Sequence, residues 1–210
     1  MIRFGLRGKR EDAKTAEAAA VRAGLGSRSL VLVGMPGSGK SAVGRRLATQ
    51  LDIGFVDADE EIESAAGKPI TDIFKDHGEA YFREGERKVI ARLLGSGPQV
   101  LATGGGALMA AETRDNIRRS GISIWLKAEL PVLMRRVLKR NTRPLLEKDP
   151  EGVMRQLMET RYPIYAAADI TVESRDLPHE TVIGEIVDAL ATHPRLASRA
   201  VQSEPLEGTS

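Results

Sequence analysis

Residues 29–47 read SLVLVGMPGSGKSAVGRRL, in which an apolar run, a glycine-rich loop and an amphipathic stretch follow one another directly. The apolar run Leu30–Val33 predicts a strand that is buried on both faces of a parallel sheet. The loop Gly34–Ser41 fits the pattern G-x-x-x-x-G-K-[ST] of the P-loop. Behind it, apolar residues recur at helical spacing, at Val43, Leu47 and Leu51. Strand, loop and helix therefore stand in the order that a P-loop requires.

The residue types of this loop suit a nucleoside triphosphate. Glycines let backbone N–H groups approach an anion closely, and the N-terminus of the following helix adds oriented dipoles at the same point. Lys40 supplies a positive charge for the β- and γ-phosphates, and Ser41 supplies a hydroxyl for Mg²⁺. The residues predicted to contact the nucleotide in this segment are Gly37, Ser38, Gly39, Lys40, Ser41 and Ala42.

A second pattern overlaps the same loop. Residues 37–42 also fit the looser dinucleotide pattern G-x-G-x-x-A, with Asp57 about 20 residues further on. A dinucleotide-dependent oxidoreductase is therefore an alternative, although such a fold has no need for a Lys-Ser pair at this place. A comparison of the melting temperature with ATP–Mg²⁺ and with NAD separates the two.

The composition indicates one domain with tails. The 210 residues include 31 Lys and Arg and 29 Asp and Glu. Because these charges nearly balance, nucleic-acid binding is disfavoured as the main role. Cysteine is absent, which excludes disulfides, thiolate zinc sites and a cysteine nucleophile. The three histidines are scattered, and no apolar run is long enough to span a bilayer. We expect a cytoplasmic protein without a nucleic-acid or membrane partner.

Strand and helix patterns alternate along the rest of the chain, which predicts a parallel α/β sheet. Further strands are predicted at residues 54–59, 99–102, 122–126 and 170–172, and helices at 60–66, 70–77, 79–94, 112–119, 131–138, 153–166 and 179–191. The polar stretch 139–152 predicts a mobile loop. Residues 1–28 are predicted to form a partly helical or disordered extension outside the catalytic unit, and residues 192–210 a disordered tail.

Polar or glycine-rich sequence follows three predicted strands, where ligands bind in such sheets. Asp57 and Asp59 close the second strand, and the period of two predicts that both side chains face the site. Many P-loop proteins carry a carboxylate that orders Mg²⁺ directly at the end of the third strand. This chain has no acid there, and Asp57 is expected to take its place. The alternative is that the acids cap the next helix, which fits Asp59 better than Asp57.

Three successive glycines, Gly104–Gly106, end the third strand. Successive glycines predict either that the backbone approaches a ligand closely or that it needs a positive φ angle. The alternative is a plain flexible turn. Arg83 and Arg161 stand on otherwise amphipathic helices, and each taken singly is most often a solvated surface residue.

Together the motifs resemble the shikimate kinase family. The resemblance covers about residues 30–191, and gluconate kinases share the P-loop and size but are not expected to carry the same set. The motifs are Gly34–Ser41 with Gly44, Asp57-Ala-Asp59, Ile73-Phe74, Gly78-Glu79, Phe82-Arg83-Glu84, Gly104–Gly106, Arg143-Pro-Leu-Leu146 and Arg161-x-x-x-Tyr165.

This resemblance implies a three-layer α/β/α P-loop fold of the nucleoside-monophosphate-kinase type, with a five-stranded parallel sheet. The kinase domain would span residues 29–191, with a substrate subdomain at about 58–95 and a lid at about 139–152. The implied reaction is the phosphorylation of the 3-hydroxyl of shikimate by ATP with Mg²⁺, on the pathway to chorismate and the aromatic amino acids. The partners would be ATP and shikimate, and the chain would be a monomer.

The resemblance also implies roles for single residues. Asp59 would hold the hydroxyls of shikimate and Arg83 and Arg161 its carboxylate, while Gly104, Gly105 and Gly106 would pack along it. The residues implied in catalysis are Lys40, Asp59 and Arg143. Beyond the P-loop, the implied nucleotide contacts are Arg136 and Arg175 at the adenine and Arg143 at the transferring phosphate. Ser41 and Asp57 would hold Mg²⁺, directly or through water.

Two further alternatives remain at this point. One is another small-molecule P-loop kinase, similar to gluconate kinase. The other is a non-catalytic nucleotide-binding regulator, which predicts no ADP release with any small acceptor and leaves the acids, arginines and triple glycine unexplained.

Overall fold

The computed structural model describes residues 4–139 and 149–196, and for residues 4–12 the backbone alone. Five parallel strands pair in the order β2-β3-β1-β4-β5. They are β1 (Ser29–Val33), β2 (Gly54–Asp57), β3 (Gln99–Ala102), β4 (Gly121–Lys127) and β5 (Ile170–Glu173). The predicted five-stranded parallel sheet is confirmed.

Helices cover both faces of this sheet. In chain order they are α1 (Phe4–Leu25), α2 (Lys40–Leu51), α3 (Ala58–Ala66), α4 (Ile70–Leu94), α5 (Ala111–Ser120), α6 (Leu130–Leu138), α7 (Pro150–Tyr165) and α8 (His179–Ala191), with a short 3₁₀ turn at Ala107–Met109. Among the described residues, no helix is long and apolar enough to cross a membrane.

The central strand β1 is buried along its whole length. Leu30 and Leu32 pack with α1, α2 and α8 on one face, whereas Val31 and Val33 pack with α4 to α7 on the other. This two-sided burial is the reason that β1 is a continuous apolar run rather than an alternating one. The P-loop follows the carboxyl end of β1. Because β1 is the central strand, the P-loop lies in the middle of the row formed by the carboxyl ends of the strands.

The N-terminal extension contributes to the core. The described part of α1 buries Ala18, Val21 and Leu25 in the same apolar cluster as α2 and α8. These three apolar residues are three and four positions apart and so share one face of the helix, which is why the alanine-rich sequence folds onto the domain. Its removal from the chain would expose this part of the core to water.

The C-terminal tail differs from the sequence prediction. Residues 192–196 are ordered, and Leu196 is buried against Gly24 of α1. Arg28 also donates to the carbonyl oxygen of Arg195 at 2.6 Å. The predicted disorder is therefore wrong for residues 192–196, which are anchored by the buried side chain of Leu196. A single apolar residue gives no periodic pattern in the sequence by which such an anchor could be predicted. Residues 197–210 lie outside the described residues.

The predicted loop 139–152 is also shorter than expected at its far end. Asp149 caps α7, and its side chain accepts a hydrogen bond from the N–H of Gly152 at 2.9 Å. Pro150 occupies the first helical position, where its missing N–H costs nothing. Residues 150–152 therefore belong to the helix, while residues 140–148 lie outside the part of the chain that the structure describes.

Candidate active site

The P-loop wraps around the N-terminus of α2. Gly37 and Gly39 have φ angles of 83° and 97°, in the left-handed region that glycine adopts without strain. Lys40 is the first residue of α2, and its ammonium group donates to the carbonyl oxygens of Gly34 at 2.9 Å and Met35 at 3.0 Å. The loop thus presents backbone N–H groups and one ammonium group at a helix N-terminus, which together form an anion site.

Of the two acids predicted to close β2, only Asp57 lies in the strand. β2 ends at Asp57, and α3 begins at the next residue, so Asp59 lies in the first turn of a helix and not in a strand. Asp57 is the cap, because its Oδ1 accepts from the N–H of Asp59 at 3.1 Å. The expected strand geometry is therefore wrong for Asp59, and the preference for Asp59 as the capping acid is wrong as well. The turn into a helix has no separate signal in the sequence, since Asp-Ala-Asp fits either structure.

Both acids nevertheless line one polar cleft together with Lys40, Ser41 and Gly105. The hydroxyl of Ser41 donates to Oδ2 of Asp57 at 2.7 Å, so the cap of α3 also contacts the P-loop. A carboxylate and a hydroxyl in contact are oxygen ligands of the kind that Mg²⁺ accepts beside phosphate and water.

The glycine strip Gly104–Gly106 lies against charged side chains. A Cβ at Gly104 would stand 2.9 Å from Oδ1 of Asp59, one at Gly105 would stand 3.0 Å from Nη1 of Arg161, and one at Gly106 would stand 2.5 Å from Nη2 of Arg83. None of the three has a positive φ. Close approach, and not backbone conformation or a flexible turn, is therefore the reason for the glycines.

Glu86 of α4 is a charged residue at this site that the sequence reasoning missed. Its side chain is 3% exposed, and Oε2 accepts from Nη1 of Arg83 at 2.6 Å. Oε1 has no hydrogen-bond partner among the described residues and faces Gly104, where a Cβ would be 2.7 Å away. Burial raises the pKa of Glu86 above its usual value, and Arg83 partly opposes this shift.

A signal for Glu86 does exist in the sequence. Phe82, Glu86 and Ile90 are spaced by four residues, and all three are buried on one side of α4. An acid inside an apolar stripe is a buried charge that needs a partner, and Arg83 supplies it.

Arg83 itself is held by two carboxylates, Glu86 and Glu79, the second at 3.3 Å. Burial lowers the pKa of Arg83, but the two ion pairs outweigh it and raise the pKa overall. Its guanidinium therefore stays charged and directed at Gly106.

The predicted adenine residues form a bridge between the P-loop and the segment after β5. Arg136 of α6 donates to Oγ of Ser174 at 2.8 Å, to the carbonyl oxygen of Arg175 at 2.7 Å and to that of Gly37 at 3.4 Å. Ser174, which the sequence did not single out, is buried and donates to the carbonyl oxygen of Ser38 at 2.8 Å. Arg175 joins this bridge through its backbone, and its exposed side chain pairs with Glu173 at 3.0 Å.

The comparisons with known proteins agree with this geometry. The family model for shikimate kinase matches residues 36–191. A shikimate kinase of Bradyrhizobium diazoefficiens is 56% identical over 170 residues, which cover 80% of this chain and 82% of the relative. The chain belongs to the shikimate kinase family. A second shikimate kinase, of Rhodopseudomonas palustris, is 55% identical over 178 residues, which cover 84% of this chain and 88% of the relative.

Solved shikimate kinase structures share the fold. The structure of shikimate kinase from Acinetobacter baumannii in complex with shikimate has a TM-score of 0.76 at 34% identity, and the match covers 80% of this chain and 95% of that chain. A gluconokinase from Sinorhizobium meliloti has a TM-score of 0.53 at 24% identity, over 85% of this chain and 98% of that chain, which shows the fold alone. The predicted P-loop fold of the nucleoside-monophosphate-kinase type is confirmed.

The structure brings most of the predicted shikimate kinase residues together at one sheet edge. Lys40, Ser41, Asp57 and Asp59 line the cleft, and the charged groups on the glycine strip border it. Arg143 lies outside the described residues.

Proposed function

We propose that the chain transfers the γ-phosphoryl group of ATP to the 3-hydroxyl of shikimate, which gives ADP and 3-phosphoshikimate on the pathway to chorismate. The observation that carries this proposal is the glycine strip. Two acids, Asp59 and Glu86, and two arginines contact three successive glycines beside a P-loop. A small carboxylate with several hydroxyls needs this combination, because a guanidinium suits a carboxylate and an acid suits hydroxyl groups.

The spacing along the strip suits a substrate of this size. Successive Cα atoms are about 3.8 Å apart, so Gly104 and Gly106 are at most about 7 Å apart. Asp59 contacts the first of these glycines and Arg83 the last. A six-membered ring with a carboxylate at one end and hydroxyls at the other spans this distance. In this assignment Asp59 holds the hydroxyls, and Arg83 and Arg161 hold the carboxylate.

On the nucleotide side, the P-loop N–H groups and Lys40 bind the β- and γ-phosphates. Phosphoryl transfer needs alignment and charge neutralisation more than covalent chemistry, and preorganised donors give both without reorganisation. Arg136 and Arg175 border the adenine in this proposal. The role of Arg143 at the transferring phosphate remains a prediction from the resemblance.

Mg²⁺ fits the residues that are present. The described residues contain no group of three or more metal-ligating side chains, but Mg²⁺ with a nucleotide needs only one or two carboxylates besides phosphate and water. Ser41 and Asp57, which touch at 2.7 Å, would hold it. When bound, the ion neutralises charge on the phosphates.

The other sequence alternatives have less support. The likeness to a gluconokinase extends to the fold alone, and a non-catalytic regulator leaves Asp59, Arg83 and Arg161 without a purpose. We further propose that the chain works as a monomer in the cytoplasm, which analytical ultracentrifugation and cell fractionation test.

Replacement of Arg83 or Arg161 by lysine is expected to raise KM for shikimate and leave KM for ATP nearly unchanged. Lysine keeps the charge but loses the two-pronged geometry that matches a carboxylate. A lost charge-assisted hydrogen bond corresponds to about 1.5–3 kcal/mol, or about a ten- to hundredfold rise in KM. Steady-state kinetics with each substrate varied in turn measure the effect.

The matched controls are Arg87→Lys on α4 and Arg155→Lys on α7, whose partners are Glu112 at 3.4 Å and Glu151 at 2.7 Å. Both controls should behave as the wild type. A shikimate analogue without the carboxylate should bind weakly and respond little to the site variants. An equal response of this analogue and of shikimate would show that the two arginines do not bind the carboxylate.

A further inference from the structure

Tyr165 ends α7 behind the glycine strip and is among the most deeply buried large side chains, with 1% exposure. Its ring packs near Trp125, with the ring centroids 5.9 Å apart. Its hydroxyl donates a hydrogen bond to the carbonyl oxygen of Gly105. A buried tyrosine hydroxyl normally finds a polar partner, and here the partner belongs to the candidate site.

The bond to Gly105 completes the hydrogen bonding of the strip. The carbonyl oxygen of Gly104 accepts from the N–H of Ala107 at 3.2 Å, and that of Gly106 accepts from the N–H of Met109 at 3.0 Å. The 3₁₀ turn thus fixes the first and third carbonyls, and Tyr165 fixes the middle one. The carbonyl group of Gly105 is partly buried, and the loss of its donor would cost free energy, so Tyr165 is the residue that holds the centre of the strip.

Tyr165 follows Arg161 by one helical turn, on the same face of α7. The positive charge of the Arg161 guanidinium acts on the Tyr165 hydroxyl. Nη1 of Arg161 in turn lies 3.0 Å from the Cβ position of Gly105. Arg161 and Tyr165 therefore meet at Gly105, with the guanidinium against its Cα and the hydroxyl on its carbonyl oxygen.

Burial raises the pKa of Tyr165 to about 12, and Arg161 partly opposes this shift. The hydroxyl consequently remains a neutral donor throughout the pH range of an ordinary kinase assay.

We propose that Tyr165 is a positioning residue for the acceptor carboxylate, which sets the guanidinium of Arg161 and the backbone of Gly105 relative to each other. This inference rests on the proposed function, in which Arg161 binds the carboxylate of shikimate. The residue touches neither phosphate nor substrate hydroxyl in this assignment. It acts through Arg161, so its effect falls on acceptor binding and not on the nucleotide.

The chain offers a matched control in Tyr162. This residue stands on the same helix, packs against the same Trp125 with ring centroids 4.9 Å apart, and also donates its hydroxyl to a backbone carbonyl, that of Ala128. The carbonyl of Ala128 belongs to the segment that follows β4, away from the glycine strip. Tyr162→Phe and Tyr165→Phe therefore remove the same group beside the same tryptophan, but only one of them touches the site.

The test measures shikimate affinity by calorimetry without ATP, and KM for each substrate, in the wild type and both variants. Tyr165→Phe keeps the ring and its packing, and it should weaken shikimate binding by about three- to tenfold, as for the loss of one neutral hydrogen bond. KM for ATP should not change. Tyr162→Phe should lower the melting temperature to a similar extent and leave both KM values unchanged.

A double-mutant cycle of Tyr165 and Arg161 distinguishes a positioning role from a purely structural one, since only a positioning role makes the two effects on KM for shikimate non-additive. Because Tyr165 acts through Arg161, Tyr165→Phe should have little further effect on KM for shikimate in an Arg161→Lys background. Full additivity, or equal behaviour of the two phenylalanine variants, would overturn the inference and leave the proposed function intact. Failure of the wild type itself to bind shikimate would overturn both.

Discussion

Lys40→Ala is expected to lower kcat by about 10³-fold or more, a range that cations at the transferring phosphate reach in related chemistry. The ammonium group stands at the N-terminus of α2, where it contacts two P-loop carbonyl oxygens at 2.9 and 3.0 Å. In the transition state the same group would neutralise charge on the β- and γ-phosphates. A coupled ADP-release assay measures the loss, and circular dichroism checks that the fold persists.

The control for this variant is Lys88→Ala. Lys88 lies on the exposed face of α4, where 75% of its side chain is accessible, and it pairs with Glu84 at 2.6 Å. Such a surface pair contributes little to stability. Lys88→Ala should retain wild-type activity. Near wild-type activity of Lys40→Ala would show that the P-loop does not act on the phosphates as assigned.

Asp59→Asn is expected to lower kcat by about 10²-fold or more, the lower end of what a group that handles the reacting proton contributes. Asparagine keeps the volume of the side chain and removes its charge. ATP affinity should be largely retained, because the nucleotide site is formed by the P-loop. Single-turnover kinetics and nucleotide titration separate the two quantities.

The position of Asp59 sharpens this test. Asp57, and not Asp59, caps α3, so Asp59→Asn should leave the melting temperature nearly unchanged. Glu60→Gln is the neighbouring control, since Glu60 is exposed and pairs with Arg45 at 2.7 Å. It should have full activity. Full activity of Asp59→Asn as well, or a loss confined to thermal stability, would contradict a role in substrate binding.

Elements that depend on local patterns were predicted well from the sequence. The apolar run of β1, the P-loop and the start of α2 follow from adjacent residues, and α8 was predicted with the bounds that the structure has. The sequence also predicts a break at Gly78, between helices at 70–77 and 79–94. In the structure Gly78 has a φ of 79° and a ψ of 176°, a conformation that residues with a Cβ avoid.

Features that depend on tertiary contacts were not predicted. Glu86, Ser174 and Tyr165 take their roles from groups that are distant in the chain, namely Gly104, Ser38 and Gly105. The docking of α1 and Leu196 depends on a few apolar residues whose partners lie on other elements. Asp57 and Asp59 were predicted to face the site, which they do, but for a different reason: one caps a helix and the other lies in its first turn.

The central claim, that this shikimate kinase family member phosphorylates shikimate, is tested most directly by ADP release with shikimate, quinate and gluconate compared side by side. The acids and the two arginines on the glycine strip predict rapid release with ATP–Mg²⁺ and shikimate, and much slower release with the other two acceptors. Release that is fastest with gluconate, or that no acceptor stimulates, would contradict the assignment.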